Sequence, residues 1–476
     1  MNSTPRQTGT PGRLSPWVVG PVLAMGALLH TPIASADAME DLLKEVRELR
    51  EETRRLRSEV DTLRRDQGTP ASPAAKSTGS ANATAAPAAP PSQAKAAESA
   101  GGQPHAEEPA TGRAGASRYA SMLEGPRQVQ IYGYGEMNYT RPRHDAAGTT
   151  ADLRRGVIGF AYAFDDRTRF ASELELEHAV TSAEDSGEVA FEQFFVEHDV
   201  TDRVSAKAGL FLLPMGYINE VHEPTRYYGV HRNFIETAII PSTWRELGVG
   251  VRTVTESGLR LDGGLVTSFD LTKWDATSGD AADSPLGSIH QEGQQAKARS
   301  GAVYAGANYD GIPGYNVGAS AFTGGVGQKQ PAFASPDARV TLVEAHTRWQ
   351  PGRWDLSALA AFGRFSNVAA LNATFAGLDN PVPDRFGGWY AQAAYRAWSQ
   401  NERSLVPFVR FERFNTRRGY TGLAAGLGPA GQPDTKVATF GASFYLHPQV
   451  VFKADYQRFF NVSSLDRVNV GLGFHF

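Results

Sequence analysis

The chain reads as an all-β protein: a transmembrane antiparallel β-barrel of about 16 strands, preceded by a short α-helical coiled coil. Three observations predict this. Apolar and polar residues alternate in short runs from Gln128 to Phe476. The joins between runs are by turns tight and long. The chain closes on an alternating strand in which Val468, Val470, Leu472, Phe474 and Phe476 interleave with Arg467, Asn469, Gly471, Gly473 and His475.

Composition sets the outer bounds. The 476 residues are 41% hydrophobic and 21% charged, with a mean hydropathy of −0.35. Past the leader, no apolar run approaches the roughly 18 residues of a membrane helix. A soluble protein and a transmembrane barrel look alike here, because only alternate barrel residues face lipid. Cysteine is absent, which excludes disulfides, thiolate nucleophiles and Cys-ligated metals. A net charge of −4 gives a nucleic-acid partner no support.

The amino-terminal region divides into three parts. Residues 1–36 read as a signal peptide: Arg6 and Arg13 are basic, Trp17 to Leu29 is apolar, and Ala34-Ser35-Ala36 is a cleavage site. Residues 37–67 read as a periplasmic coiled coil. Met39, Val46, Thr53 and Val60 occupy a; Leu42, Leu49, Leu56 and Leu63 occupy d. Val at a with Leu at d favours two strands. Residues 68–127 are rich in Ala, Pro, Ser and Gly, cannot bury a core, and read as a disordered linker to the barrel at 128–476.

Sixteen strands are expected to start near Gln128, Asp152, Thr168, Glu188, Arg203, Trp244, Leu259, Arg299, Tyr315, Arg339, Trp354, Arg385, Ser404, Thr435, Gln449 and Asp466. In several the alternation is plain. Leu174 and Leu176 interleave with Glu173, Glu175 and Glu177, and Ile158, Phe160, Tyr162 and Phe164 with small or polar residues. Phe440, Ala442, Phe444 and Leu446 repeat the pattern. Joins after even strands are tight: Asp165-Asp166-Arg167, Thr201-Asp202, Glu256-Ser257-Gly258, Pro351-Gly352 and His447-Pro448. Most joins after odd strands are long: Leu213 to Thr243, Leu271 to Lys297, Gly325 to Asp337, Asn367 to Asp384 and Arg417 to Asp434. Turns on one rim and loops on the other are the layout of an outer-membrane barrel. An even count puts both barrel ends at the turn rim, on the periplasmic side. About 16 strands leave an aqueous interior.

The loop after the fifth strand is dense in charge and aromatics, and Phe234, Ile235, Ile239 and Ile240 argue that it is ordered. It is expected to fold inward and narrow the pore. Three of its pieces carry a family resemblance: Phe211-x-x-Pro214-x-Gly216, Asn219-Glu220-x-His222-Glu223-Pro224, and Ile239-Ile240-Pro241-x-Thr243-Trp244-x-Glu246. With the barrel pattern, the segment from Gln128 to Phe476 resembles the phosphate-selective porin O/P family. The resemblance implies a homotrimeric porin with a constriction lined by basic residues. A trimer conflicts with the two-stranded preference of the coiled coil, although four heptads tied to a larger assembly would follow that assembly. Arg154 and Arg155 resemble paired arginines near the anion path of family members. Since one of two adjacent strand residues points fully inward, Arg155 is favoured for the lumen; the pair could equally hold lipopolysaccharide phosphates at the rim.

The expected pore-lining set is Arg155, Glu173, Glu175, Glu177, Glu220, His222, Glu223, Arg226, His231, Arg232, Arg410 and Glu412, with Lys453 and Asp455 also inward. Anion capture needs converging Lys and Arg. The barrel segment instead sums to about −5 and holds few lysines. Mixed charge suits a general porin as well as an anion channel. His222, Glu223 and His231 lack metalloprotease spacing, Gly324 to Lys329 lacks phosphate-loop spacing, and no Gly-x-Ser-x-Gly is found. Neither enzymatic activity nor a cofactor or metal is expected. The expected role is passive diffusion of small hydrophilic solutes, anions such as phosphate among them, through the outer membrane of a Gram-negative bacterium. Lipid and lipopolysaccharide would be its surroundings. The alternative is a structural barrel that tethers the outer membrane to peptidoglycan through the coiled coil. An outer-membrane lipid hydrolase is a third class, but no Ser/His pair marks it.

Overall fold

A computed structural model describes residues 129–182, 185–429 and 431–476. The expected signal peptide, the coiled coil with its Leu42, Val46, Leu49, Leu56, Val60 and Leu63 core, and the linker lie outside the described residues.

Sixteen strands follow: β1 Gln130–Pro142, β2 Thr150–Ala163, β3 Thr168–Glu177, β4 Glu188–Thr201, β5 Val204–Leu212, β6 Arg245–Val254, β7 Leu259–Val266 and β8 Ala302–Ile312. Then come β9 Tyr315–Gly325, β10 Arg339–Trp349, β11 Trp354–Ser366, β12 Arg385–Tyr395, β13 Arg403–Arg418, β14 Thr435–His447, β15 Val450–Phe459 and β16 Arg467–His475. After a break at Arg396 and Ala397, β12 resumes as Trp398–Gln400, and both pieces pair with β13. Every strand pairs antiparallel with its sequence neighbours. β1 also pairs with β16, from Tyr134 opposite His475 to Pro142 opposite Arg467, so the sheet closes on itself. Closure leaves no open edge, which is what allows a sheet to span a bilayer.

Phe476 takes part in that seam. Its backbone N–H donates to the Gly133 carbonyl at 2.9 Å, and its carbonyl accepts from Gly133 N–H at 3.1 Å. A Cβ at Gly133 would meet the Phe476 ring at 3.1 Å, and one at Gly135 would meet the Phe474 ring at 2.9 Å. The two glycines therefore seat the two rings across the seam.

The molecule is apolar outside and polar inside along most strands. In β16, Val468 and Val470 are 46% and 48% exposed, while Asn469 between them is fully buried. Val343, Phe362, Val409, Phe440 and Phe452 continue the apolar exterior around the barrel. A soluble monomer does not sustain a contiguous apolar face of this extent; lipid is the solvent that matches it. Trp349 and Trp354 flank the Pro351-Gly352 turn on the exterior, Trp398 lies near the next turn, and Phe164 sits beside the β2–β3 turn. Amphipathic rings at that level mark a lipid–water boundary.

Joins segregate by length as expected. Two to four residues separate strands at one rim, whereas 213–244, 267–301, 326–338, 367–384 and 419–434 connect them at the other. The start of β1 and Phe476 both lie at the tight-turn rim.

Candidate functional site

The loop 213–244 turns into the barrel, and only Val221 within it is exposed. Its apolar residues drive this: Leu213, Met215, Ile235 and Ile239 are fully buried, and Ile218 and Ile240 nearly so. Two polar side chains fix its shape. The Asn219 carboxamide donates to the Leu213 carbonyl at 2.8 Å and the Trp244 carbonyl at 3.0 Å, and accepts from Trp244 N–H at 2.8 Å, clasping both ends of the loop. The Glu236 carboxylate accepts from Tyr217 N–H at 2.5 Å, Ile218 N–H at 2.7 Å and the Asn233 carboxamide at 2.7 Å. Burial pushes the Glu236 carboxyl up from its ordinary range, against those three donors. Gly216, at φ +78°, lets the chain pass this carboxylate; a Cβ there would lie 2.6 Å from it.

The loop spans the lumen from wall to wall. Pro214 O accepts from Ser320 of β9 at 2.7 Å, and the Tyr227 hydroxyl donates to Glu136 of β1 at 2.6 Å. Tyr228 donates to Asp355 of β11 at 3.0 Å, and Phe234 N–H to Glu412 of β13 at 2.7 Å. Val230 N–H donates to Asp455 of β15 at 2.6 Å, while Arg410 donates to the Tyr228 carbonyl at 3.1 Å.

Apolar side chains fill part of the expected aqueous interior. From β8 to β13, inward residues near the loop rim are apolar: Phe322, Val340, Leu342, Leu359, Phe365 and Phe386. Phe269, Leu271, Trp274, Leu286, Ile289, Val368 and Leu371 from neighbouring loops pack against them in one cluster with the inward loop. The correction has a simple cause. Long loops fold into the barrel mouth and carry their own apolar residues, so that stretch of wall faces protein rather than water.

Water-accessible space remains beside β1–β4. A cavity of about 370 Å³ lies between that wall and the inward loop. Of the twelve candidate residues, Arg155, Glu175, Glu177, His231 and Arg232 line it. Arg155 bonds to Glu136 at 2.8 Å and Glu175 at 3.0 Å, with Glu177 at 3.4 Å. So engaged, it is buried inside the barrel. Arg154 lines the cavity as well, with its side chain 35% exposed against 7% for Arg155. The register between β1 and β2 slips by one residue there, so that Glu136 opposes Arg155 and Met137 opposes Leu153. A β-bulge of this kind lets two successive residues face one side. Arg154 lies 3.5 Å from Glu177.

The remaining candidates lie elsewhere in the interior. Glu173 accepts from Gln193 at 2.6 Å on the β3–β4 wall, and His222 lies 3.4 Å from Glu192. Glu220 pairs with Arg252 at 2.6 Å and Arg260 at 3.4 Å. Those two guanidiniums hold its carboxyl well below the usual carboxylate range. Glu223 is buried and Arg226 half-buried within the loop. Arg410 and Glu412 pair at 2.9 Å, and Lys453 lies over the Tyr227 ring at 3.7 Å.

Nearer the turn rim lies a charge ladder that is not among the residues expected from the sequence: Arg169 with Glu197 and Asp199, each at 2.8 Å, Arg252 with Asp262 at 2.6 Å, and Arg348 with Asp355 at 2.5 Å. Strand parity carried the signal, since Arg252 alternates with Val251 and Val249, which are 50% and 53% exposed.

The electrostatics of the cavity follow from its pairs. Arg154 and Arg155 are matched by Glu136, Glu175 and Glu177, and Arg245 by Glu292 at 2.9 Å. Arg232 and Arg467 also line the cavity and make no close ion pair among the described residues, although Glu136 acts on Arg232, and Asp455 and Glu412 act on Arg467, at longer range, and Glu188 adds a fifth carboxylate to the lining. Arg232 instead donates to the Ser242 hydroxyl and the His222 carbonyl, and Arg467 to Gln457 at 2.6 Å. Burial, with Arg467 nearby, pushes His231 down to about 4, leaving it neutral at pH 7.

No protein-family model matches the chain. It is 29% identical over 351 residues to an uncharacterized protein of Aquifex aeolicus (strain VF5), covering 71% of this chain and 77% of that one. Among solved structures, it is similar to Salmonella typhi OmpF in complex with daunomycin: TM-score 0.49, 13% identity, covering 74% of this chain and 98% of that one. The outer membrane channel DcaP of Acinetobacter baumannii gives a TM-score of 0.47 at 12% identity, over 76% of this chain and 100% of that one. An anion-selective porin from Comamonas acidovorans gives 0.45 at 12% identity, over 74% and 100%. Likeness at this level adds nothing to the strand pairing, which by itself establishes a closed antiparallel barrel of sixteen strands.

Proposed function

We propose that the chain is an outer-membrane porin of a Gram-negative bacterium, passing small hydrophilic solutes by diffusion, small anions among them. The observation that carries this is the polar cavity beside β1–β4, where five guanidiniums (Arg154, Arg155, Arg232, Arg245 and Arg467) face five carboxylates (Glu136, Glu175, Glu177, Glu188 and Glu292). No lysine lines that space, and Arg155 is engaged by carboxylates, so a focused phosphate trap is not the reading favoured. Phosphate is then one permeant anion among others, and membership of the phosphate-selective O/P family stays a resemblance. A homotrimer set among lipopolysaccharide fits the apolar exterior. Liposome swelling with neutral sugars of graded size and small organic anions tests the proposal. Proteoliposomes should swell in small sugars and at a similar rate in monoanions of matched size. Absence of swelling with correctly folded barrel would overturn it.

A second role rests on one observation: β1 starts at the tight-turn rim, the side on which a cell-wall contact would be made. The barrel would then also tether the membrane to peptidoglycan through the coiled coil. Crosslinking intact cells and isolating peptidoglycan should recover the protein, and deleting Asp37 to Gln67 should abolish recovery. Equal recovery of both forms would exclude the tether.

A further inference from the structure

Glu173 of β3, Glu192 of β4 and His222 of the inward loop converge inside the barrel. One ligand atom from each lies within 4.8 Å of the other two. All three residues are buried, at 1%, 0% and 2% exposure. The β-bulge that opposes Glu173 to Gln193 and Leu174 to Phe191 makes Glu192 the extra residue, and so turns it inward beside Gln193.

The imidazole is the informative member. His222 Nδ1 lies 3.0 Å from the Asn219 carbonyl, an acceptor only, so Nδ1 carries the proton and donates. Nε2 then points into the carboxylate pair. It sits 3.4 Å from Glu192, at the long limit of a hydrogen bond and without good alignment, although the residue is almost wholly buried. Something positive must lie between the nitrogen and the two carboxylates, either a second proton on the ring or a cation. Histidine ligands commonly show this arrangement, one ring N–H held by a carbonyl and the other nitrogen on a metal. Glu192 is itself braced by the Tyr134 hydroxyl at 3.0 Å, and Glu173 by Gln193 at 2.6 Å.

We propose that Glu173, Glu192 and His222 bind one divalent transition-metal ion, which staples the inward loop to the β3–β4 wall. Two carboxylates neutralise a divalent charge in a buried site. One nitrogen with two oxygens suits zinc or manganese better than calcium or magnesium, which favour all-oxygen shells. The ligands come from two strands and the loop, so the ion would hold the loop in place rather than close the barrel.

The test uses full-length protein, stripped with chelator and then given zinc or manganese chloride. Desalting and elemental analysis should retain one equivalent, and hydrogen exchange of residues 213–244 should slow on loading. His222→Gln and Glu192→Gln should each lose retention and slowing, while His231→Gln, outside the cluster, keeps both. Heat-modifiable migration on gels confirms that each variant is a folded barrel. No retention by the wild-type barrel would overturn the proposal, as would retention unaffected by both His222→Gln and Glu192→Gln. A proton shared between His222 and Glu192 would then occupy the gap.

Discussion

Replacing Glu236 by alanine should release the inward loop without opening the barrel. The carboxylate is the shared acceptor for Tyr217 N–H, Ile218 N–H, the Asn233 carboxamide and, at 3.4 Å, the Tyr390 hydroxyl of β12. Its loss strands these four donors in a region where Glu236 itself is 3% exposed. Each unmet buried donor costs about 1–3 kcal/mol. The deletions share one group and water can enter from the neighbouring cavity, so a total of about 3–5 kcal/mol is reasonable. That moves the ratio of docked to undocked loop by roughly 10²–10⁴, at about 1.4 kcal/mol per tenfold. The barrel should survive, because its strand pairing does not involve this residue. Hydrogen exchange of 213–244 should accelerate by that factor, and single-channel records should show added open-state noise. Glu236→Gln keeps one carbonyl oxygen for the two backbone donors, so its effect should fall between wild type and alanine. If Glu236→Ala leaves exchange and noise unchanged, the apolar contacts of Ile235, Ile239 and Ile240 hold the loop alone and the hydrogen-bond reasoning is refuted.

Other expectations are narrower. Arg155→Ala leaves Glu136 and Glu175 without their guanidinium; the reversal potential in a salt gradient should move toward cation selectivity, and no movement would mean that this cluster does not face the permeating ions. Gly209 sits at φ +135° in β5, and a Cβ there would lie 2.4 Å from the Phe194 carbonyl, so Gly209→Val should sharply reduce the yield of heat-modifiable barrel on refolding. Deleting Phe476 removes two seam hydrogen bonds and a ring seated on Gly133; assembly should slow by at least severalfold in a refolding time course. His231 is held near 4, below its ordinary 6.5. The unfolded chain therefore takes up this proton as pH falls through about 6.5 while the folded chain does so only near 4, and His231 destabilises the fold across that window. Its stabilising contribution is complete above about 6.5, ion selectivity should not change between pH 8 and 5 on its account, and His231→Gln should flatten the stability slope between pH 6.5 and 4 in a denaturant titration series.

Much of the barrel was legible because lipid and water impose opposite demands on alternate residues. Every expected strand start lies within three residues of the observed one, from Thr168 and Glu188, which coincide, to Arg299, where β8 begins at Ala302. Loop segregation was legible for a related reason: a tight turn is a few residues of Gly, Pro and Asp, while a long loop has no length constraint. The bulges were not legible. Arg154 and Arg155 share a side because β1 and β2 slip by one residue, and pairing between strands leaves no mark in either strand's own alternation. The apolar filling beside β8–β13 was half visible: stretches such as Val340-Thr341-Leu342-Val343 and Leu359-Ala360-Ala361-Phe362 are apolar on both faces, the mark of a wall covered on both sides. The convergence of Glu173, Glu192 and His222 was invisible, since it depends on a bulge and on where a long loop lands.

A water path beside β1–β4 lined by five guanidiniums and five carboxylates should discriminate little between cations and anions, with Arg232 and Arg467 offsetting the glutamates without a close ion pair of their own. Planar-bilayer recording of the purified protein under a potassium chloride gradient tests this most directly. Wild-type barrels should give steady conductance with a reversal potential near zero, and Arg232→Gln together with Arg467→Gln should move it to the cation-selective side. Folded protein that conducts nothing, or whose reversal potential does not move in the double variant, would contradict it.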